Sequence, residues 1–240
     1  MIILILSDAH SNIGALKHIF DTVPHYDYVI FLGDFVDYGP WPDETISYLK
    51  ENVDIALQGN HDFALSYGKD CGCGEENHDV SVYTREVISQ MQTSDENLNY
   101  LRSLKPYGTV KLEGKIYELF HGSPGDPLYR YATEKTISGI DTKKLSKFGV
   151  TDLESTTVFV GHTHIPMDYN YKGIRFINPG SAGSLCRDLF GSSSIALYDT
   201  ENESVSFHRI KMDNGEVIKT LKNIVKDNNI MKKLERMYGF

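Results

Sequence analysis

The chain predicts an α/β fold in which two β-sheets pack face to face with helices outside. Two observations predict it. Short β-rich apolar runs at 2–6, 28–32, 53–57, 117–120 and 157–160 each stop at a polar, glycine-bearing motif, with helical periodicity between several of them. Beyond residue 109 the pattern becomes strand, turn, strand.

The elements follow in order. Residues 2–6 lack a basic flank and stop at Ser7-Asp8, so they are too short for a signal or a membrane span and read as strand one. Ala15, Leu16, Ile19, Phe20 and Val23 recur at helical spacing, as do Ile46 and Leu49 after the second strand. The third strand runs 53–57. Residues 68–79, rich in glycine and cysteine, are expected to be a mobile excursion. Residues 80–104 read as helical, with Thr93 and Glu96 as a capping box and Lys105-Pro106 as the stop. Hairpins are expected around Glu113-Gly114-Lys115, around Lys172-Gly173, and between 195–198 and 205–210, all assigned to a second, more antiparallel sheet. Residues 214–238 close the chain as amphipathic helices carrying Val217, Leu221, Ile224, Val225, Ile230, Leu234 and Met237. No linker or repeat interrupts the sequence, so residues 1–240 are expected to form a single domain.

Composition narrows the function. Acidic residues number 33 against 24 basic ones, a formal net charge of -9, and no basic run marks a general nucleic-acid surface. Three cysteines cannot complete a disulfide framework, which points to a reducing, cytoplasmic setting without membrane attachment. Cys71-x-Cys73 has no second pair and reads as a loop with free thiols.

The chemistry sits where the strands end. Asp8 and His10 follow strand one, where an extended backbone would point both side chains the same way. Asp34 follows Gly33, Asn60 follows Gly59, His121 precedes Gly122, and His162 and His164 form another same-side pair. A carboxylate has two oxygens, so Asp34 can bridge two cations about 3.5–4 Å apart. The donors divide into Asp8, His10, Asp34 and His164 for one divalent ion, and Asp34, Asn60, His121 and His162 for the other. Mixed nitrogen and oxygen donors suit Mn, Fe, Zn, Ni or Co rather than Mg or Ca. His18, His25, His78 and His208 have no such motif and read as ordinary structural residues.

Asp8-x-His10, Gly33-Asp34-x-x-Asp37, Gly59-Asn60-His61-Asp62, His121-Gly122 and Gly161-His162-x-His164 resemble, in order and rough spacing, the calcineurin-like metallophosphoesterase superfamily. The resemblance runs from Asp8 to about Ser181. It implies a four-layer sandwich, two mixed sheets flanked by helices, and the ligand division above with Asp34 bridging. It also implies that His61 is a general acid oriented by Asp37. A hydroxide held between two divalent ions would attack phosphorus in line, and a carboxylate-paired imidazole would protonate the leaving alkoxide.

The substrate reading is coarser. Protein phosphatases of the superfamily usually carry arginine where this chain has Tyr38 and glutamate where it has Asp62. Those differences, the length, and Gly-His-Thr-His-Ile-Pro resemble the small microbial phosphodiesterase-like branch. A phosphodiester, a nucleotide or a dinucleoside polyphosphate is the expected substrate, with Tyr38, Trp41 or Tyr129 as stacking surfaces and Arg187 as a phosphate fork. A serine/threonine phosphatase and a non-catalytic scaffold are the alternatives. Scaffold members typically lack the general-acid histidine, whereas His61 is present here. Asn178-Pro179-Gly180-Ser181 reads as a turn bordering the site, and Asp62 as a residue that tightens its own loop.

Overall fold

The computed structural model describes residues 1–140 and 156–240. Among them, strands form two five-stranded mixed sheets. The first has the order β10-β9-β1-β2-β3, from β1 (Ile2–Leu6), β2 (Tyr28–Phe31), β3 (Ile55–Ala56), β9 (Ser192–Asp199) and β10 (Ser204–Lys211). The second has the order β4-β5-β6-β8-β7, from β4 (Tyr107–Leu112), β5 (Lys115–Phe120), β6 (Thr157–Val160), β7 (Met167–Tyr171) and β8 (Ile174–Asn178).

Strand alternation builds the layers. On β1, Ile3 and Ile5 face the second sheet and join Ile30, Leu119, Phe159 and Ile177 in the inner core. Leu4 and Leu6 face the other way, onto Leu16, Ile19, Ile46 and Leu49 of α1 (Ile13–Thr22) and α2 (Pro42–Asn52). The outer face of the second sheet buries Val158, Val160, Ile174 and Phe176 with Ile137. Helix, sheet, sheet and helix are the expected four layers.

The structure corrects several element assignments. The β9–β10 hairpin belongs to the first sheet: Ile2 pairs with Asp199 and Ile5 with Ala196, antiparallel to β1. Nearly all of β9 is buried, and a place beside the central β1 covers both of its faces. The second sheet is therefore not mainly antiparallel, since β5, β6 and β8 run parallel. β3 shrinks to Ile55–Ala56 because Val53 is consumed as the extended C-cap of α2.

The stretch expected as one helix over 80–104 is broken. α4 (Glu75–Thr84) continues through a π-helical turn (Arg85–Ser89) and α5 (Gln90–Gln92), and α6 (Asp95–Ser103) starts afresh. Its cap is Ser94, not Thr93: Ser94 Oγ accepts from Asn97 N, and Asp43 Oδ1 accepts from Ser94 N. Because α4 begins at Glu75, it takes the last residues of the expected excursion, and Cys71 is fully buried. After α7 (Glu134–Ile137), the C-terminal helices α8 (Gly215–Ile224) and α9 (Asn228–Met237) pack on Val80 and Ile88.

Candidate metal centre

The loops after β1, β2 and β3 of one sheet meet those after β5 and β6 of the other, so the site straddles both sheets rather than one edge. Leu32 O accepts from His121 Nδ1, Gly161 N donates to His121 O, and His162 N donates to Asp8 Oδ2. The first and third of these contacts cross the seam between the sheets, and the second joins neighbouring loops of the second sheet. The helix after β3 is α3 (Asn60–Tyr67), which places Asn60 and His61 in its first turn.

The same-side geometry of the donors is not produced by extended backbone, as the sequence spacing suggested. Asp8, His10, Asp34, Asp37, His162 and His164 all have left-handed φ, between 46° and 69°. Each is costly for a side-chain-bearing residue, of order 1–3 kcal/mol, and such strain gathers where a site needs side chains aimed inward. The chain curls at each strand end instead of continuing the pleat.

The curled loops bring together every donor expected to hold metal. Oxygen or nitrogen atoms of Asp8, His10, Asp34 and His164 lie within 4.8 Å of one another, and so do those of Asp34, His121 and His162. His10 Nε2 is 3.1 Å from His164 Nε2, which is 3.2 Å from Asp8 Oδ1. His121 Nε2 is 3.4 Å from Asp34 Oδ2 and 2.9 Å from Asn60 Oδ1. Asp34 belongs to both groups.

The surroundings fix which nitrogens face inward. His10, His121 and His164 each donate Nδ1–H to a backbone carbonyl, of Val36, Leu32 and Leu185, which leaves Nε2 as the nitrogen facing inward. His162 does the reverse, donating Nε2–H to Tyr129 O, with its ring stacked on Tyr131. Asn60 Nδ2 donates to Cys71 O, which turns Oδ1 inward.

These donors fit a cation. Nε2 of His10 and Nε2 of His164 face each other at 3.1 Å, and buried Asp8 Oδ1 and Asp34 Oδ2 have no hydrogen-bond partner. Burial, against the opposing pull of Asp34, holds His10 down to about 3, in the neutral form a metal requires. Although burial favours neutral acid, His164 lowers Asp8 to about 2. Gly59 is required by close approach: a Cβ there would lie 2.0 Å from Asp34 Oδ1.

His61 stands apart from this set. Its Nδ1 donates to Asp37 Oδ2 at 2.8 Å, and its ring packs edge-on against His10. Burial opposes its charge, yet Asp34 and hydrogen-bonded Asp37 outweigh that and raise the imidazole to about 9. Arg85 Nη2 and Ser89 Oγ complete the shell around Asp37, at 2.5 and 2.9 Å. Neither residue was anticipated. They lie on the π-helical turn, whose wider winding no short motif announces. Asp62 does tighten its loop, accepting from the backbone N–H groups of Asp34, Phe35 and Gly59.

The expected substrate residues are placed less uniformly. Tyr38 is buried, packed between His10 and His61, and offers no open ring face for a stacked base. Trp41 is the N-cap of α2 and lines a separate surface pocket with Asn12 and Val217. Tyr129 is half-exposed, and its carbonyl serves His162. Arg187 is exposed, lies over the Tyr131 ring and donates to its hydroxyl at 3.2 Å. Asn178 braces the turn, donating to Gly161 O and accepting from Gly180 N, while Ser181 Oγ donates to Asp8 O.

Known proteins share this arrangement. The model of the calcineurin-like phosphoesterase superfamily domain matches residues 1–203. A metallophosphoesterase crystal structure from Sphaerobacter thermophilus superposes with a TM-score of 0.75 at 26% identity, covering 98% of each chain. The hypothetical protein PH1004 from Pyrococcus horikoshii OT3 has the same fold, with a TM-score of 0.72 at 18% identity over 97% of each chain. An uncharacterised protein, MJ0912, from Methanocaldococcus jannaschii is 26% identical over 251 residues, spanning 94% of this chain and 92% of that protein. Fold and ordered motifs agree: the chain belongs to the calcineurin-like phosphoesterase superfamily, whose chemistry is metal-dependent phosphoester hydrolysis.

Proposed function

We propose that the protein is a dinuclear-metal phosphoesterase acting on a phosphodiester, a nucleotide or a dinucleoside polyphosphate. The observation that carries this reading is the pair of buried oxygens without a hydrogen-bond partner, Asp8 Oδ1 and Asp34 Oδ2, set among inward-facing imidazole nitrogens beside a separate His61–Asp37 dyad. Asp8, His10, Asp34 and His164 would hold one ion, and Asp34, Asn60, His121 and His162 the other. The ions, when bound, supply an activated water and neutralise charge on the phosphoryl oxygens.

The remaining work falls to the chain. Because His61 Nδ1–H is committed to Asp37, the imidazolium has Nε2–H to donate to the departing oxygen. Asp37 keeps that tautomer, and Arg85 and Ser89 keep Asp37 in place. The open side supports a substrate larger than a small monoester. A cavity of about 480 Å³ lined by Arg187, Phe190, Lys233 and Arg236 shares Arg187 and Phe190 with a small pocket that reaches His164. Glu75 and Glu76 line it as well and Lys233 is paired with Asp79, which leaves Arg187 and Arg236 to meet a second anionic group. No helix of the described residues is long and apolar enough to cross a membrane.

The deciding experiment strips the metal, then assays p-nitrophenyl phosphate, bis-p-nitrophenyl phosphate, a phosphopeptide and diadenosine tetraphosphate before and after adding Mn²⁺. Metal-dependent turnover with preference for the diester or the dinucleotide supports the proposal. Phosphopeptide preference selects the protein-phosphatase alternative. No turnover with two ions bound points to a narrow substrate outside this panel or to the scaffold, and no turnover with no ions bound overturns the site assignment.

A further inference from the structure

The Cys71–Gly72–Cys73 turn lies against the site without a part in the hydrolysis described above. Cys71 Sγ and Cys73 Sγ are 2.9 Å apart, and each is 3.2 Å from Ser81 Oγ. Two thiolates on one zinc ion stand roughly 3.7 Å apart, given Zn–S bonds of about 2.3 Å and tetrahedral angles. The observed 2.9 Å holds the sulfurs nearer to each other than one zinc ion would, part of the way toward a sulfur–sulfur bond of about 2.05 Å. The turn already has the bend such a bond needs: Gly72 has φ +61° and donates its N–H to Asp70 Oδ1.

The turn is also tied to the site at two places. Cys71 O accepts from Asn60 Nδ2, the bond that turns Asn60 Oδ1 toward His121. A donor atom of His61 and both sulfurs lie within 4.8 Å of one another. Cys73 is partly exposed, which gives a small oxidant access, while Cys71 is fully buried beneath it. Cytosolic disulfides, where they occur, are characteristically transient and regulatory.

We propose that Cys71 and Cys73 close into a reversible disulfide when the protein meets hydrogen peroxide, and that closure switches off the neighbouring hydrolytic site. Peroxide transfers one oxygen to the first sulfur, giving a sulfenic acid and one water. The second sulfur then displaces the sulfenic hydroxyl, which leaves with the second thiol's proton as another water. Two thiols and one peroxide thus become one disulfide and two waters. Contraction shifts a turn whose Cys71 carbonyl holds Asn60 and whose sulfurs lie beside His61, so both site residues are disturbed. The bond itself depends only on the two thiols; its effect on turnover rests on the function proposed above.

The test treats the native protein briefly with hydrogen peroxide and reads three quantities: intrachain mass and alkylation at Cys71 and Cys73, Mn²⁺ affinity, and hydrolysis. Expected are loss of two hydrogens, protection of both cysteines from alkylation, and a fall in turnover of about 100-fold, the scale of a displaced general acid. Dithiothreitol should reverse all three. Cys71→Ser and Cys73→Ser should show neither the mass change nor the loss of activity. Free thiols after treatment overturn the disulfide, as does a soft metal found on the untreated pair. A disulfide that changes neither turnover nor Mn²⁺ affinity overturns the switch, and so do serine variants inactivated as fast as the parent. If the untreated protein hydrolyses nothing, the proposed function fails separately, and Mn²⁺ affinity alone decides the switch.

Discussion

His61 Nδ1 and Arg85 Nη2 converge on the same oxygen of Asp37, at 2.8 and 2.5 Å. Ser89 Oγ takes the other oxygen. Both oxygens of Asp37 are therefore engaged by protein donors, which fits a residue that orients His61. Although burial disfavours its charge, His61 and Arg85 keep its carboxyl below the usual range, so it faces the imidazole as an anion.

Removing the imidazole separates its role from that of the metal donors. His61→Ala should lower kcat by about 10²–10⁴-fold on substrates with an alkoxide leaving group. With p-nitrophenolate, which leaves without a proton, the loss should be much smaller. Metal content, measured by elemental analysis, should not change. An equal loss on both substrate types would contradict the acid role.

Metal removal should also be visible in stability. A ligand present at about 100 times its Kd stabilises the fold by about 2.7 kcal/mol, so chelation should lower Tm and Mn²⁺ should restore it. Asp34→Ala should abolish most of that shift, because Asp34 faces both donor groups. His164→Ala should retain the part due to the second proposed ion, the one assigned to Asn60, His121 and His162. Calorimetric scans of the three proteins, with and without Mn²⁺, give the comparison.

Gly59→Ala tests the closeness of the β2 and β3 loops. The added Cβ would lie 2.0 Å from Asp34 Oδ1 and 2.4 Å from Asp34 N, so the loop must move. A destabilisation of about 3 kcal/mol is expected from overpacking, together with reduced metal content. Denaturant unfolding read alongside elemental analysis would show both. Gly59 has φ −89°, which any residue adopts, so the cost comes from the added Cβ and not from backbone strain.

Acid should weaken the α2–α6 contact. Partial burial works against the Asp43 carboxylate, but hydrogen bonds from Ser94 N at 2.7 Å and Asn97 Nδ2 at 2.8 Å outweigh it and lower its pKa. A depressed folded pKa contributes stability that is present above the unfolded value of about 3.9 and fades as pH falls through the folded one. Asp43→Ala should cost about 1 kcal/mol at pH 7, a value already reduced for solvent screening. The variant's deficit should shrink below pH 4. A deficit independent of pH would rule out the charge as its source.

The fold and donor set are legible in the sequence for a physical reason: every donor sits where an apolar run stops, so one pattern marks both the strand and its ligand. What escapes is whatever depends on partners distant along the chain. Residues 195–198 look like a hairpin strand in any sheet, and only the pairing of Ile5 with Ala196 assigns them to the first. Arg85 is one more arginine on a polar helix until the π-helical turn aims it at Asp37. Thr93 and Ser94 are equally good caps on paper, and the hydrogen bond from Ser94 N to Asp43 chooses the second. Tyr38 is a promising aromatic beside a loop, yet its backbone curl buries it.

The seam across which the donors meet has a kinetic meaning. His10 and His164 are 154 residues apart, His121 and Leu32 are 89 apart, and Ser181 and Asp8 are 173 apart. Contacts of that separation form late, because the intervening chain must first lose its conformational freedom. If the proposed donors do hold metal, its capture is expected to be an end point of folding rather than its nucleus, since the full set assembles only once both sheets have docked. Ion uptake during refolding serves as a clock for completed topology, lagging behind secondary structure.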